Sequence, residues 1–286
     1  MKHRLLGIVW ETWLPVSLLL IWWVASDGST SVYFPPLRTI MESFRDTWFS
    51  SLAVTDVLPS LLRFLAGLAI AAVLGVVLGL VLGMTPAVRR ALEPVLDFFR
   101  SLPKPALLPI AIVALGVGDS MKIFIIAFGA LWPILLNTID GVRGVDSMQL
   151  EMARVYGLTR RQRIFKVILP AASPQIFVGA RVALAIAMIL MVISEMVAST
   201  NGLGYFVLLS QQTFAIPEMW AGIILLGIIG YLTNFLFVLT ERRLLAWHAG
   251  WRATALGGAV AVPGARRRRR VSLATTSTGP ARKAFP

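Results

Sequence analysis

Two stretches of this 286-residue chain, Phe64 to Met84 and Met219 to Thr240, carry no Asp, Glu, Lys or Arg. At 1.5 Å per helical residue each covers the roughly 30 Å hydrocarbon core of a bilayer, so both predict helices that cross a membrane. Weaker apolar runs extend the pattern to about six spans, over 8–26, 60–84, 104–118, 122–139, 174–198 and 219–240. The third is the shortest. Its apolar core runs only from Ala106 to Val117, and Pro103, Pro105 and Pro109, which lack N–H donors, crowd its start. Such an interrupted segment either lines a translocation path or forms an entry turn beside it. Within the second span Ala71, Gly75, Gly79 and Gly83 recur every fourth residue. This stripe predicts close approach of another helix, because helices in lipid associate through packing.

Composition agrees with a lipid-solvated, all-α helical bundle: 57% of residues are hydrophobic and 14% charged, against roughly 45–50% and 25% in soluble domains. The net charge of +13 would suggest nucleic acid in a soluble protein, but a nucleic-acid face does not alternate with spans. Here Lys and Arg gather in every second loop and in the C-terminal tail, which places both termini and the loop after the fourth span on the cytoplasmic side. Arg38, Arg45, an interfacial Arg63 and Lys122 are the few basic residues left for the outer side. Lys2, His3 and Arg4 before an apolar run resemble a signal peptide, yet Glu11 interrupts that run and no small-x-small site follows, so the segment reads as a retained first helix. With no cysteine, disulfides and thiolate metal sites are excluded. His3 and His248 are isolated and terminal, so neither supports metal or general-base chemistry. Three regions result: 1–56 with the first helix and an outer loop, a core at 57–247, and a disordered basic tail at 248–286.

The longest cytoplasmic connection, 140–172, has internal order. Asp146, with Gln149 three residues on, caps a helix running to about Tyr156, and Gly157 suits its left-handed end. Thr159 with Gln162 forms a capping box that opens a second helix through Lys166 to Leu169, which Pro170 closes. Basic residues from Arg154 to Lys166 alternate with Ile164, Phe165, Val167 and Ile168, giving a charged and an apolar side. A basic hairpin at a membrane face either lies on anionic lipid or docks a protein.

The spacing of its residues resembles a known pattern. Glu151-Met152-Ala153, then Gly157, then Val167-Ile168-Leu169-Pro170 are similar to the EAA loop of ABC importer permeases, with Met152 in place of the first Ala and Val167 in place of an Ile. Ser60-Leu61-Leu62-Arg63 with Gly67, Arg100-Ser101-Leu102-Pro103, Leu108-Pro109, Leu115-Gly116, and Glu195 before Asn201-Gly202-Leu203-Gly204-Tyr205 resemble the nitrate, sulfonate and taurine branch. The resemblance covers Tyr33 to Thr240. It implies a type I permease fold in a bacterial cell membrane, a second permease copy completing the pore, and an extracytoplasmic solute-binding protein. It also implies that Glu151, Met152, Ala153, Arg154, Gly157, Leu158, Val167, Leu169 and Pro170 dock cytoplasmic ATPase subunits. The chain holds no Gly-x-x-x-x-Gly-Lys-Ser/Thr sequence, so ATP is used by a partner and no cofactor belongs to this chain.

Ionisable groups inside a membrane are expensive and mark function by default. Glu195, beside Ser194 and shortly before Asn201, reads as an outer gate, a substrate contact or an interfacial carboxylate. Asn137, after Trp132-Pro133, predicts a hydrogen bond between helices before a ligand contact, and Arg181 predicts a snorkelling side chain. Arg266 to Arg270 either attract anionic lipid or form a solvated tail. The competing class is a carrier driven by an ion gradient, which requires paired buried carboxylates; Glu195 is the one that the sequence offers. No clustered catalytic constellation points to an enzyme.

Overall fold

The computed structural model describes residues 20–246, together with 13, 14, 17 and 18. Residues 20–26 are helical and belong to the first expected span; the remainder of that span and the tail at 248–286 lie outside the described residues. Beside the four-residue helix Arg160–Arg163, nine α-helices follow among the described residues: α1 (Leu37–Trp48), α2 (Leu58–Met84), α3 (Pro86–Ser101), α4 (Leu108–Leu115), α5 (Asp119–Arg143), α6 (Ser147–Val155), α7 (Leu169–Val197), α8 (Leu203–Gln212) and α9 (Ile216–Leu244). Among the described residues, four helical stretches are long and apolar enough to cross a membrane: Ala53–Met84, Asp119–Arg143, Arg160–Val197 and Ile216–Leu244.

The glycine stripe sets the central contact. A Cβ at Gly75 would stand 2.8 Å from Ile134 Cγ2, at Gly79 2.5 Å from Thr138 Cβ, and at Gly83 2.7 Å from Val142 Cβ. Contact positions on α2 and α5 therefore rise together, and the two helices run parallel. Against α7 the order reverses: Gly129 of α5 meets Leu190, while a Cβ at Gly141 would lie 3.0 Å from Gln175 Cβ, so α7 is antiparallel. Phe64, Ile126, Ile134, Leu190 and Met191 fill the core between the three helices.

Parallel α2 and α5 require the chain to cross back between them. The third span, expected as an interrupted segment over 104–118, is part of a broken pair in which α3 and the stretch Lys104–Leu115 meet at 92°. The eight residues of α4 cover only about 12 Å, too little to span. Prolines 103, 105 and 109 withhold the N–H groups that would continue α3. Lys104 takes over part of that task, its Nζ donating to the carbonyls of Phe99 (2.9 Å), Arg100 (2.8 Å) and Leu102 (2.8 Å). Phe99 then stacks on Trp132 of α5, with centroids 5.9 Å apart.

Pro170 also departs from expectation: it does not close the second helix of the loop. One helical stretch runs from Arg160 to Val197, because residues Ile164–Ile168 widen into a π-helical turn in which Leu169 N–H reaches the Ile164 carbonyl. The wider turn accommodates a proline ring that would otherwise press on the carbonyl four residues back. The same device precedes α2, where the π-turn Ala53–Val57 leads into Leu58-Pro59. At the periphery, Trp48 Nε1 donates to the Ala221 carbonyl of α9 at 3.2 Å. Arg181, expected to snorkel, is half exposed and also pairs with Glu241 of α9.

Candidate functional site

At the end of the bundle where α5 terminates, the loop forms the helix, Gly turn and helix that the caps predict. Asp146 Oδ1 accepts the Met148 N–H at 2.9 Å, opening α6. At its other end Gly157 N–H donates to the Arg154 carbonyl (2.9 Å) and Leu158 N–H to the Ala153 carbonyl (3.0 Å), with Gly157 at φ +67°. This paired closure needs a left-handed residue. Thr159 N–H donates to Gln162 Oε1 (2.9 Å) and Gln162 N–H to Thr159 Oγ1 (3.3 Å), completing the capping box. Ile164, Ile168 and Leu150 pack with Val142 of α5 and Ala172 of α7, so the hairpin is anchored to both helices.

Its outer surface is uncovered among the described residues. Val155 and Tyr156 are 86% and 81% exposed, and Met148, Met152 and Phe165 are more than half exposed. Glu151, Arg154 and Gly157 are exposed as well, and Leu158, Val167, Leu169 and Pro170 half-buried. Ala153 is buried.

The opposite end carries a polar cluster. Asp56 in the π-turn and Ser60 and Arg63 in α2 follow at intervals of four and three, which places them on one helical face. Glu195 of α7 reaches the same place and has no solvent exposure. It accepts from Ser60 Oγ (2.8 Å), Arg63 Nη1 (2.8 Å) and Gly204 N–H (3.0 Å). A buried ionised carboxylate is tolerable only when paired and hydrogen-bonded in this way. Arg63 also donates through Nη2 to Asn201 Oδ1 (2.6 Å), through Nη1 to the Asn201 carbonyl (3.2 Å) and through Nε to Asp119 of α5 (2.7 Å).

The amides of Gly202, at the N-cap of α8, and of the first two residues of α8 end in this cluster. Gly202 N–H donates to Asp56 Oδ1 (2.7 Å), Leu203 N–H to Ser60 Oγ (2.9 Å), and Gly204 N–H to Glu195 Oε2. These amides have no partner inside their own helix, and two carboxylates sit favourably at its positive end. Gly202 adopts φ +115°, and a Cβ there would lie 2.6 Å from the Glu195 carboxylate. Glycine is therefore required on both counts.

The sequence singled out Glu195 and Asn201 but not their partners. Arg63, expected at the membrane interface, is 4% exposed, and Lys122, expected in an outer segment, is 3% exposed. Their charges suggested solvent; the partners of Arg63 lie far along the chain, Asp119 at 56 residues and Glu195 at 132, whereas Lys122 stands 3.8 Å from Asp119 on its own helix. The 56, 60, 63 spacing was the available signal. Ser194 is buried and donates to the Met191 carbonyl of its own helix at 2.9 Å. Asn137 is spent on structure: Nδ2 donates to the Pro133 carbonyl (2.8 Å) and Oδ1 accepts from Gln175 Nε2 of α7 (2.9 Å). Asn137→Ala is expected to lower thermal stability by about 0.6–1.7 kcal/mol, the range of hydrogen bonds between membrane helices, and to leave uptake close to that of the parent. Loss of uptake with unchanged stability would return Asn137 to the pathway.

A bundle of membrane-crossing helices with a broken return segment and a capped hairpin at one end defines a multi-pass transport permease. The fold matches a chain of the MetNI methionine ABC transporter, solved in inward-facing conformations, with a TM-score of 0.56 at 25% identity, covering 68% of this chain and 96% of that one. Residues 71–246 match the family described as binding-protein-dependent transport system inner membrane component, and the chain belongs to it. SsuC of Bacillus subtilis (strain 168), named as an aliphatic sulfonates transport permease protein, is 34% identical over 82% of this chain and 86% of its own length. The taurine transport system permease protein TauC of Escherichia coli (strain K12) is 30% identical over 81% and 86%. The nitrate import permease protein NrtB of Synechocystis sp. is 30% identical over 76% and 82%. The protein is the membrane-spanning permease subunit of an ABC importer. Buried Asp56 and Glu195 have the character required of an ion-driven carrier, but each is committed to hydrogen bonds within the fold, and the family is served by binding proteins.

Proposed function

We propose that two copies of this chain form the pore of a bacterial importer for a small oxyanion-bearing solute, driven by separate cytoplasmic ATPase subunits and supplied by an extracytoplasmic binding protein. The exposed hairpin carries the reading: it is rigidly capped, anchored to α5 and α7, and presents Met152, Val155 and Tyr156 outward. So large an apolar tip at a basic, cytoplasm-facing end favours a protein partner over water. Glu151, Met152, Arg154, Gly157 and Leu158 form the face offered to the ATPase, while Val167, Leu169 and Pro170 join it to α7. Motion of the hairpin would pass directly into α7, because the helix is unbroken from Arg160 to Val197. Both termini lie on the cytoplasmic side, and the chain itself makes and breaks no covalent bond.

Alternating access driven by ATP requires that the ATPase prefer one pore state over the other. The relatives named for aliphatic sulfonates, taurine and nitrate point to a compact anionic group on the solute. The test is reconstitution of the chain with its ATPase and binding protein in proteoliposomes, together with a thermal-shift screen of the binding protein against taurine, alkanesulfonates, nitrate, bicarbonate and pyrimidines. ATP-dependent uptake of an oxyanion is the expected result. Uptake without the ATPase would reject the ATP-driven reading, and stabilisation by pyrimidines alone would reject the solute class.

A further inference from the structure

We propose that the break between α3 and α4 lines the solute pathway near the middle of the membrane, and that Arg100 is the side chain there which meets the oxyanion of the solute. The inference rests on the importer reading above and adds to it a group that the solute must pass.

The depth of the break is set by α5. No ionised residue lies between Lys122 and Asp140 on that helix, and Trp132 stands near the middle of the interval, about 15 Å from the first and about 12 Å from the second at 1.5 Å per residue. Phe99 stacks on Trp132, and Lys104 Nζ lies 5.9 Å from the centre of a ring of the same indole. Both sides of the break are therefore held at this level. Arg100 follows Phe99, and its three-methylene stem is too short to snorkel from there to the level of Asp140.

The same place is open. Glu93, Asp97 and Arg100 follow at intervals of four and three along one face of α3, and all three are exposed; Leu92, Val95, Leu96 and Phe99 form the apolar side of the helix. The side chains of Arg100 and Asp97 are 56% and 59% exposed. Ser101, Pro103, Pro105 and Ala106 of the break are exposed as well. Hydrocarbon does not accept uncovered ionised groups and irregular backbone at this depth, whereas a water-filled passage does. The charged stripe thus borders water from the cytoplasmic half of α3 up to the break.

Charge then selects the contact. Lys104 spends its ammonium on the carbonyls of Phe99, Arg100 and Leu102, so it supplies charge but caps the helix. Among the described residues the Arg100 guanidinium meets only Asp97 Oδ1, at 3.2 Å, which leaves most of its donors open. Arg100 and Lys104 against Asp97 leave one positive charge at the break, and Glu93 offsets it one turn nearer the cytoplasm. An anion is favoured at the break and not beyond it. A planar guanidinium also pairs with two oxygens of one anion at once, which a compact oxyanion provides.

The chain contains no cysteine, so a single introduced thiol reports on one position. R100C, assembled with cysteine-free ATPase and binding protein in proteoliposomes, is expected to react with a membrane-impermeant methanethiosulfonate. V95C, on the apolar side, is expected not to react and to transport like the parent. With taurine, ethanesulfonate and nitrate as probes, R100C is expected to take up the transported probe about tenfold more slowly or worse, the scale of one hydrogen bond to a charged group. A reagent that leaves an aminoethyl group on the thiol restores uptake, and one that leaves a methyl group does not. A merely structural role for Arg100 would not follow the charge of the attached group. The proposal is overturned by absence of reaction at R100C, by equal reaction at V95C, by R100C uptake equal to that of the parent, or by restoration no greater with aminoethyl than with methyl. If R100C does not assemble, S101C decides: reaction with the impermeant reagent supports a water-lined break, and absence of reaction overturns it. Failure of the importer reading is distinct, because it appears in the unsubstituted complex as absence of ATP-driven uptake.

Discussion

Gly157→Leu is expected to abolish ATP-driven uptake while the protein still inserts into the membrane and remains folded. Gly157 stands at φ +67° with open space where a side chain would go, so the substitution meets no steric obstacle inside the chain. Its local cost is the left-handed conformation, about 1–2 kcal/mol for a residue with a Cβ. That weakens the closure of α6 onto Leu158 without reaching the core between α2, α5 and α7. The new side chain instead projects from the turn of the exposed hairpin, into the surface assigned to the ATPase. Uptake in proteoliposomes, scored beside a detergent-solubilised melting curve, separates the two effects. Normal uptake with the ATPase still bound would remove Gly157 from the coupling role.

Gly79→Leu is expected to prevent accumulation of folded protein. Its Cβ alone would lie 2.5 Å from Thr138 Cβ and 3.0 Å from the Leu135 carbonyl oxygen. Overpacking among movable side chains costs about 1–3 kcal/mol. Here part of the obstacle is backbone, so α2 and α5 must separate along their length, and the cost exceeds that range. Gly227 of α9 provides the contrast: nothing lies within 4 Å of its Cβ position, and Gly227→Leu is expected to accumulate like the parent. The recovered monodisperse fraction of each fusion protein checks both. Equal recovery of the two variants would mean that α2 and α5 tolerate separation.

The hairpin was legible almost residue by residue because its determinants are local. Asp146 bonds two residues ahead and Thr159 three, and Gly157 takes a conformation that its residue type favours. The long spans were legible for a similar reason, since apolar length is a property of one segment. The break at residues 102–107 was legible only as disorder in the pattern. Its prolines marked the place, but the 92° bend depends on Lys104 folding back on three carbonyls and on Phe99 meeting Trp132.

The polar cluster shows the limit most clearly. Charge counting assigned Arg63 to an aqueous face because an isolated cation in a short segment carries no record of a partner 132 residues away. By itself the sequence determined that this is a multi-pass helical membrane protein and that a capped hairpin stands in its longest basic loop; propensity, capping and hydropathy act within a few residues. Only the tertiary structure decided that Glu195 pairs with Arg63 across 132 residues, that α2 and α5 run parallel, and that the amides of α8 end on Asp56, Ser60 and Glu195. Those facts depend on which helices pack together, and helix packing in lipid is set by the sum of many side-chain contacts, which no single segment of the chain contains.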